Sequence, residues 1–179
     1  MVDPVAAHRL AYRLLFVGLA ALILFVRMLP LGAVPARVPG PDLILCGTIT
    51  WVLRRPDYAP AALIALVFLM EDILAMRAPG LWPAIVLLGT EFLRSREASF
   101  RDLPFALEWL IAGGLIVAMT VIQGLVLAAF LVPQAPAGLT ALQTVVTILS
   151  YPGVVLLAHF VFGLRKAAPG QVDAFGHRI

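Results

Sequence analysis

Six apolar runs separated by short polar or proline-bearing stretches organise the chain: Tyr12 to Leu29, Pro41 to Leu53, Ala59 to Ala75, Leu81 to Leu93, Leu107 to Val132 and Leu139 to Leu164. A helix needs about 20 apolar residues to cross a hydrocarbon core of about 30 Å. The first, third, fifth and sixth runs meet that length. The second and fourth offer about thirteen residues each, or about 20 Å of helix. They either turn back within the bilayer or span it where neighbours bury them and the bilayer thins. Pro30, Pro41, Pro56, Pro60, Pro79 and Pro104 lie at or near run boundaries, as residues that cannot donate a helix hydrogen bond should. Pro41-Asp42 reads as a helix start, with proline in the first turn and a carboxylate near the positive end of the dipole. Pro152 falls inside the sixth run, which predicts a kink and a freed carbonyl for Ser150 or a neighbouring helix to satisfy.

Composition turns this pattern into a class. The 179 residues are 62% hydrophobic and 13% charged, with a mean hydropathy of +1.01, whereas a soluble domain is about half apolar and about a quarter charged. The expected fold is an all-α integral membrane protein of six transmembrane helices, with helices two and four short. Residues 1–166 form the single six-helix domain and 167–179 a short polar cytoplasmic tail. The first run is too long for the apolar region of a signal peptide, and the LGAVPARV that follows is a poor cleavage site, so it reads as an uncleaved helix.

Charge sets the expected orientation. With six spans and both termini in the cytoplasm, ten Lys and Arg fall inside (Arg9, Arg13, Arg54, Arg55, Arg94, Arg96, Arg101, Arg165, Lys166 and Arg178) and three outside (Arg27, Arg37 and Arg77). That is a positive-inside distribution. Failure of runs two and four to cross would make it nine against four. The net charge of +3 sits in twos and threes at run ends rather than in a stripe, which argues against a nucleic-acid partner.

Candidate chemistry is sparse. Glu71 and Asp72, near the outer end of the third run, are costly in hydrocarbon unless paired or protonated, and Arg27 and Arg77 lie at a similar depth. Asp72 is therefore expected to pair with one of those arginines. Neighbouring helical residues point about 100° apart, so one acid is expected to face the bundle and the other the headgroup layer. Glu91 and Glu108 read as snorkelling or paired interfacial groups, and Gln123 and His159 as deeper packing residues. Trp51, Trp82 and Trp109 sit at run ends, where an aromatic belt is expected. Small residues recur in the fifth run (Ala112, Gly113, Gly114, Ala118, Gly124 and Ala128), which predicts a close-packing helix face. Cys46 is the single cysteine, and no nucleophile elbow, phosphate loop or zinc spacing occurs, so no catalytic residue, metal or cofactor is expected.

The order of motifs in the middle third carries a resemblance. Pro41-Asp42-Leu43, a short apolar run ending Trp51-Val52-Leu53-Arg54-Arg55-Pro56, an apolar helix ending in Asp72, a Pro79-Gly80 turn and a run ending in arginines together resemble the rod shape-determining protein MreD family. The resemblance implies a non-enzymatic scaffold of the bacterial cell-elongation machinery in the inner membrane, helping to position and regulate lateral peptidoglycan synthesis and so cell shape. Its implied partners are the single-span protein MreC, the glycosyltransferase RodA with its transpeptidase, MreB and membrane lipids. Arg54, Arg55, Gly113 and Gly114 are then candidate partner contacts, and Asp72 an internal tie. The family is also similar in architecture to the substrate-binding subunits of energy-coupling-factor transporters. The alternative is therefore a subunit binding a small, vitamin-type solute through Glu71, Asp72 and Trp82. A third reading has the inner arginines holding a lipid phosphate.

Overall fold

The computed structural model describes residues 4–29, 39–77, 79–100 and 103–161, all of whose regular structure is helical. The helices are α1 (Pro4–Met28), α2 (Leu43–Arg54), α3 (Ala61–Leu74), α4 (Leu81–Ser95), the single turn α5 (Glu97–Phe100), α6 (Phe105–Ala129) and α7 (Ala137–Phe160), with a 3-10 turn at Pro56–Tyr58. Three stretches are long and apolar enough to cross a membrane: Ala7–Met28, Phe105–Ala129 and Ala137–Phe160. The chain is a multi-pass helical membrane protein. The polar tail, the LGAVPARV segment, and Arg37, Arg101, Arg165, Lys166 and Arg178 of the charge count lie outside the described residues.

The short helices depart from the expected pattern in one respect. Runs two and four give 12 and 15 residues as foreseen, but run three also gives a short helix, of 14 residues. Its start is held back by Pro60 at the N-cap, and its end is fixed by a turn in which Met76 adopts a φ of +51°. At about 21 Å, α3 matches its neighbours rather than the long helices.

α2 is the centre of the bundle. Nine of its twelve residues are buried, Cys46 and Ile49 completely. Such a helix reads as apolar nearly all round because most of its surface faces other helices. Asp42 is its N-cap, accepting from the Leu45 amide at 3.0 Å, so Pro41 lies just outside the helix rather than in its first turn. Thr48 and Thr50 return their hydroxyls to the carbonyls of Ile44 and Cys46 at 2.8 Å, within the helix itself. α7, α4 and α1 pack against α2, with α3 between α1 and α4 and α6 between α4 and α7. The outward faces carry Leu14, Leu22, Leu88, Leu110, Leu125 and Leu149, each more than half exposed, as a lipid-facing surface requires.

The two ends of the bundle differ in charge. At one end Arg13 donates to the Asp57 carbonyl at 3.1 Å, Arg94 donates to the Ala59 carbonyl at 2.7 Å, and Tyr12 stacks on Tyr58 at 4.7 Å. At the other end lie Asp42, Glu71 and Asp72. There α7 extends beyond α2, because Thr147, eleven residues into α7, is the one that meets the Asp42 amide at 2.9 Å.

Candidate functional site

The acidic end is built from the last turn of α3 and the turn that follows. Glu71 and Asp72 are both buried, at 2% and 0% exposure. The expectation that one would reach the headgroup layer is therefore corrected. Two arginines approach from different directions and enclose both acids. Arg27, from the end of α1, binds Glu71 Oε1 at 2.8 Å and the Pro41 carbonyl at 2.9 Å, with Asp42 at 4.0 Å. Arg77, folded back by the turn, meets Glu71 Oε1 and Asp72 Oδ1, each at 3.3 Å. A planar guanidinium offers several donors in a rigid fork, so Arg77 serves two carboxylates that point about 100° apart. Asp72 thus pairs with Arg77, and Arg27 takes Glu71. Asp72 Oδ2 also accepts the Gly80 amide at 3.1 Å, tying α3 to the start of α4, where Gly80 has a φ of +99° that favours glycine.

Beside this cluster lies a cavity of about 440 Å³ between the α3–α4 turn and the α6–α7 hairpin. Asp72, Arg77, Trp82, Gln123, Gln134 and Gln143 contribute its polar groups, and Met76, Leu81, Leu127 and Val132 its apolar wall. A smaller recess of about 60 Å³ runs towards Asp42 and Thr147 and shares Arg77, Trp82, Gln123 and Gln143. Trp82 Nε1 is buried without a hydrogen-bond partner.

Two of the three tryptophans depart from the belt expected of them. Trp51 and Trp82 are 3% and 5% exposed, packed inside the bundle. Trp109 is half-buried and donates its indole N–H to the Ile148 carbonyl at 2.9 Å. That carbonyl lies four residues before Pro152, which has no N–H to offer it. The freed carbonyl foreseen at Pro152 is thus satisfied by a neighbouring helix, while Ser150 bonds to Val146 at 2.8 Å.

A second polar tie lies towards the arginine end. Arg54 approaches Glu108 Oε1 at 3.6 Å, and the Tyr151 hydroxyl donates to the same oxygen at 3.1 Å, joining α2, α6 and α7. The Arg54 side chain is only 9% exposed. It therefore points into the bundle rather than towards a partner or a lipid phosphate. Arg55 is half-buried, and its amide closes α2 by donating to Trp51 at 2.7 Å. Glu91 pairs with Arg94 at 3.2 Å on the surface, and His159 is half-buried against Phe160. Tyr151 was not singled out by the sequence, because nothing in an apolar run marks a tyrosine that will face a buried carboxylate.

The small residues of α6 do not form one face. Ala112 and Gly113 are buried, and a Cβ on Gly113 would lie 3.3 Å from Ile148 of α7. Gly114 and Ala118 are exposed, with open space beside Gly114.

A third feature is apolar. α1 and α7 flank α2 without closing over it, which leaves a groove of about 540 Å³. Phe16, Leu19 and Ile23 form one wall, Val154 and Leu157 the other, and Ile44, Gly47 and Trp51 the floor. Among the described residues no group of three or more His, Cys, Asp or Glu is placed to hold a metal ion. Compared with protein-family models, with curated proteins and with solved structures, the chain matches none.

Proposed function

We propose that the chain is a non-enzymatic membrane scaffold of the bacterial cell-elongation machinery, of the MreD type. All six main helices cross the inner membrane in this reading. The arginine end is cytoplasmic, and the single span of MreC seats in the groove between α1 and α7. The observation that carries the reading is the groove itself. It is apolar and bounded by two long helices, and it carries Gly47 and Gly153, where an added Cβ would meet nothing within 4 Å. Small residues on facing helices let a further helix approach closely, which is how helices associate where lipid removes the hydrophobic driving force. The order of motifs from Pro41 to Arg96 supports the same assignment. Assembly with RodA, its transpeptidase and MreB then follows through MreC, placing the chain in lateral peptidoglycan synthesis and cell shape. Co-purification with MreC from detergent tests this. Retention by the native chain and loss on Gly47→Leu and Gly153→Leu is expected, whereas a stable, monodisperse chain that never retains MreC refutes it.

A second reading, a solute-binding transporter subunit, is favoured by the cavity at the acidic end. Asp72 and Trp82, two of the three residues that reading requires, line it.

A further inference from the structure

The apolar groove between α1 and α7 has two unlike ends. Its wall on α1 runs from Phe16 to Ile23, its floor on α2 from Leu43 to Trp51, and its wall on α7 from Ser150 to Ala158. At about 1.5 Å per residue the groove is about 10–12 Å long. That is close to the depth of one leaflet, about 15 Å, half of a hydrocarbon core of about 30 Å. Ser150 brings the one hydroxyl in the lining, and it is spent on the Val146 carbonyl at 2.8 Å. Along its length the groove offers contact with hydrocarbon.

At the acidic end Leu43 follows Asp42, and Ile23 lies one turn before Arg27. That mouth opens beside three carboxylates, Asp42, Glu71 and Asp72, and the two guanidiniums near it, those of Arg27 and Arg77, are already engaged with them. An anion finds no free cation there.

The balance reverses at the other end. Phe16 of the groove wall lies one turn after Arg13, and Trp51 of the floor one turn before Arg55. Arg13 donates through Nε and Nη2 to the Asp57 carbonyl at 3.2 and 3.1 Å, which holds α1 against the 3-10 turn that follows Arg55. Because that acceptor is a neutral carbonyl, the Arg13 charge is left uncompensated. Arg9 approaches the Asp57 carboxylate at 4.0 Å. The Arg55 side chain is half-buried and has no partner among the described residues. Three arginines thus stand against one carboxylate around this mouth, whereas Arg54, turned inward to Glu108, takes no part.

A hydrocarbon-lined channel one leaflet deep, cationic at one end only, fits an amphiphile with a negative head. We infer that the groove holds an acyl chain of an anionic phospholipid from the leaflet at the arginine end, with its phosphate on Arg55 and Arg13. Basic side chains at a membrane surface attract anionic lipids in general. The groove adds a seat for the chain, which fixes the lipid in place. The scaffold reading sets a partner span in the same groove, so lipid and span exclude one another. The inference concerns the chain without its partner and does not rest on MreC.

Native mass spectrometry of the full chain alone, released from detergent, tests it. The probes are phosphatidylglycerol and phosphatidylcholine with the same dioleoyl chains. Retention of phosphatidylglycerol is expected, with phosphatidylcholine held more weakly. Arg55→Gln should weaken phosphatidylglycerol about fivefold, the contribution of one arginine beside an anionic lipid, and leave phosphatidylcholine unchanged. Gly47→Leu and Gly153→Leu each add bulk where a Cβ meets nothing within 4 Å, so they fill the groove without altering charge and should displace the lipid. As separate variants, either carries the test should the other fail to fold. Phosphatidylglycerol retained undiminished by the filled variants would place it on the surface arginines alone and overturn the inference. Equal retention of both lipids, with Arg55→Gln silent, overturns it as well, because the phosphate then has no part. So does the absence of any retained lipid. None of these results bears on the scaffold reading, and a chain that keeps phosphatidylglycerol yet never retains MreC refutes that reading alone.

Discussion

Trp109 on α6 donates its indole N–H to the carbonyl of Ile148 on α7 across 2.9 Å, and it does so because Pro152, four residues on, cannot. Proline inside a helix removes one ladder bond and leaves a carbonyl that membrane interiors cannot hydrate. Here a neighbouring helix supplies the donor, so a local defect of α7 becomes a cross-helix tie. Trp109→Phe should lower stability by about 1–3 kcal/mol, the cost of leaving a part-buried acceptor unmet where lipid cannot supply a donor. In a Pro152→Ala background the residue at 152 regains an N–H for Ile148, and the same Trp109→Phe change should then cost less. A double-mutant cycle on unfolding in mixed detergent micelles reads the difference, and equal costs in both backgrounds would refute the tie.

Arg77 is the residue on which the acidic end depends. It holds both Glu71 and Asp72, and these are buried while its own side chain is 38% exposed. Removing one partner of a buried ion pair costs about 3–5 kcal/mol, because the charge left behind has no compensation. Arg77→Met should fall in that range. Adding Asp72→Asn should recover part of the loss by discharging one stranded carboxylate, and the Gly80 amide keeps an oxygen to bond. Failure of the second change to restore any Tm would show that Arg77 acts through something other than charge.

Much of the architecture was legible because membrane helices declare themselves by run length and proline position. The six runs became six helices, and Asp42 stands at the positive end of α2 as expected, although as its N-cap and with Pro41 outside the helix. The third run misled because hydropathy counts apolar residues and cannot see a backbone turn: Ala75 and Met76 are as apolar as helix interior yet end α3. The tryptophans misled for a related reason. An indole at a run end suits the interface, but Trp51 and Trp82 lie on the buried faces of α2 and α4 and so point into the bundle. Asp72 was expected to pair with an arginine and does so, whereas the enclosure of Glu71 beside it came only from three dimensions. Arg27 reaches Glu71 across 44 positions of sequence, and no periodicity encodes which of two adjacent acids an incoming arginine meets.

The tie at Arg54, Glu108 and Tyr151 should separate into unequal parts. Tyr151→Phe removes a hydroxyl that donates to Glu108 at 3.1 Å and should cost about 1.5–3 kcal/mol, as for a hydrogen bond to a charged group. Arg54→Met strands Glu108, whose side chain is 3% exposed, and should cost about 3–5 kcal/mol. Chemical unfolding of the two variants side by side checks the order. A larger loss from Tyr151→Phe would mean that the arginine is not the group compensating Glu108.

Gly113 and Gly114 are neighbours in sequence with opposite surroundings, which makes them a controlled pair. A Cβ on Gly113 would approach Ile148 to 3.3 Å, while one on Gly114 would meet nothing within 4 Å. Alanine is preferred over glycine in a helix interior by about 0.8–1 kcal/mol, so Gly114→Ala should stabilise the chain by up to that amount. Valine at 113 would place further methyl groups against Ile148 and push α6 from α7, costing about 1–3 kcal/mol as overpacking does. Unfolding of both variants under one detergent condition gives the comparison. The sign should differ between adjacent positions, because the same small residue serves helix contact at one and leaves helix propensity unclaimed at the other. Gly114→Ala that destabilises while partner retention is unchanged would show that α6 packs through a different face.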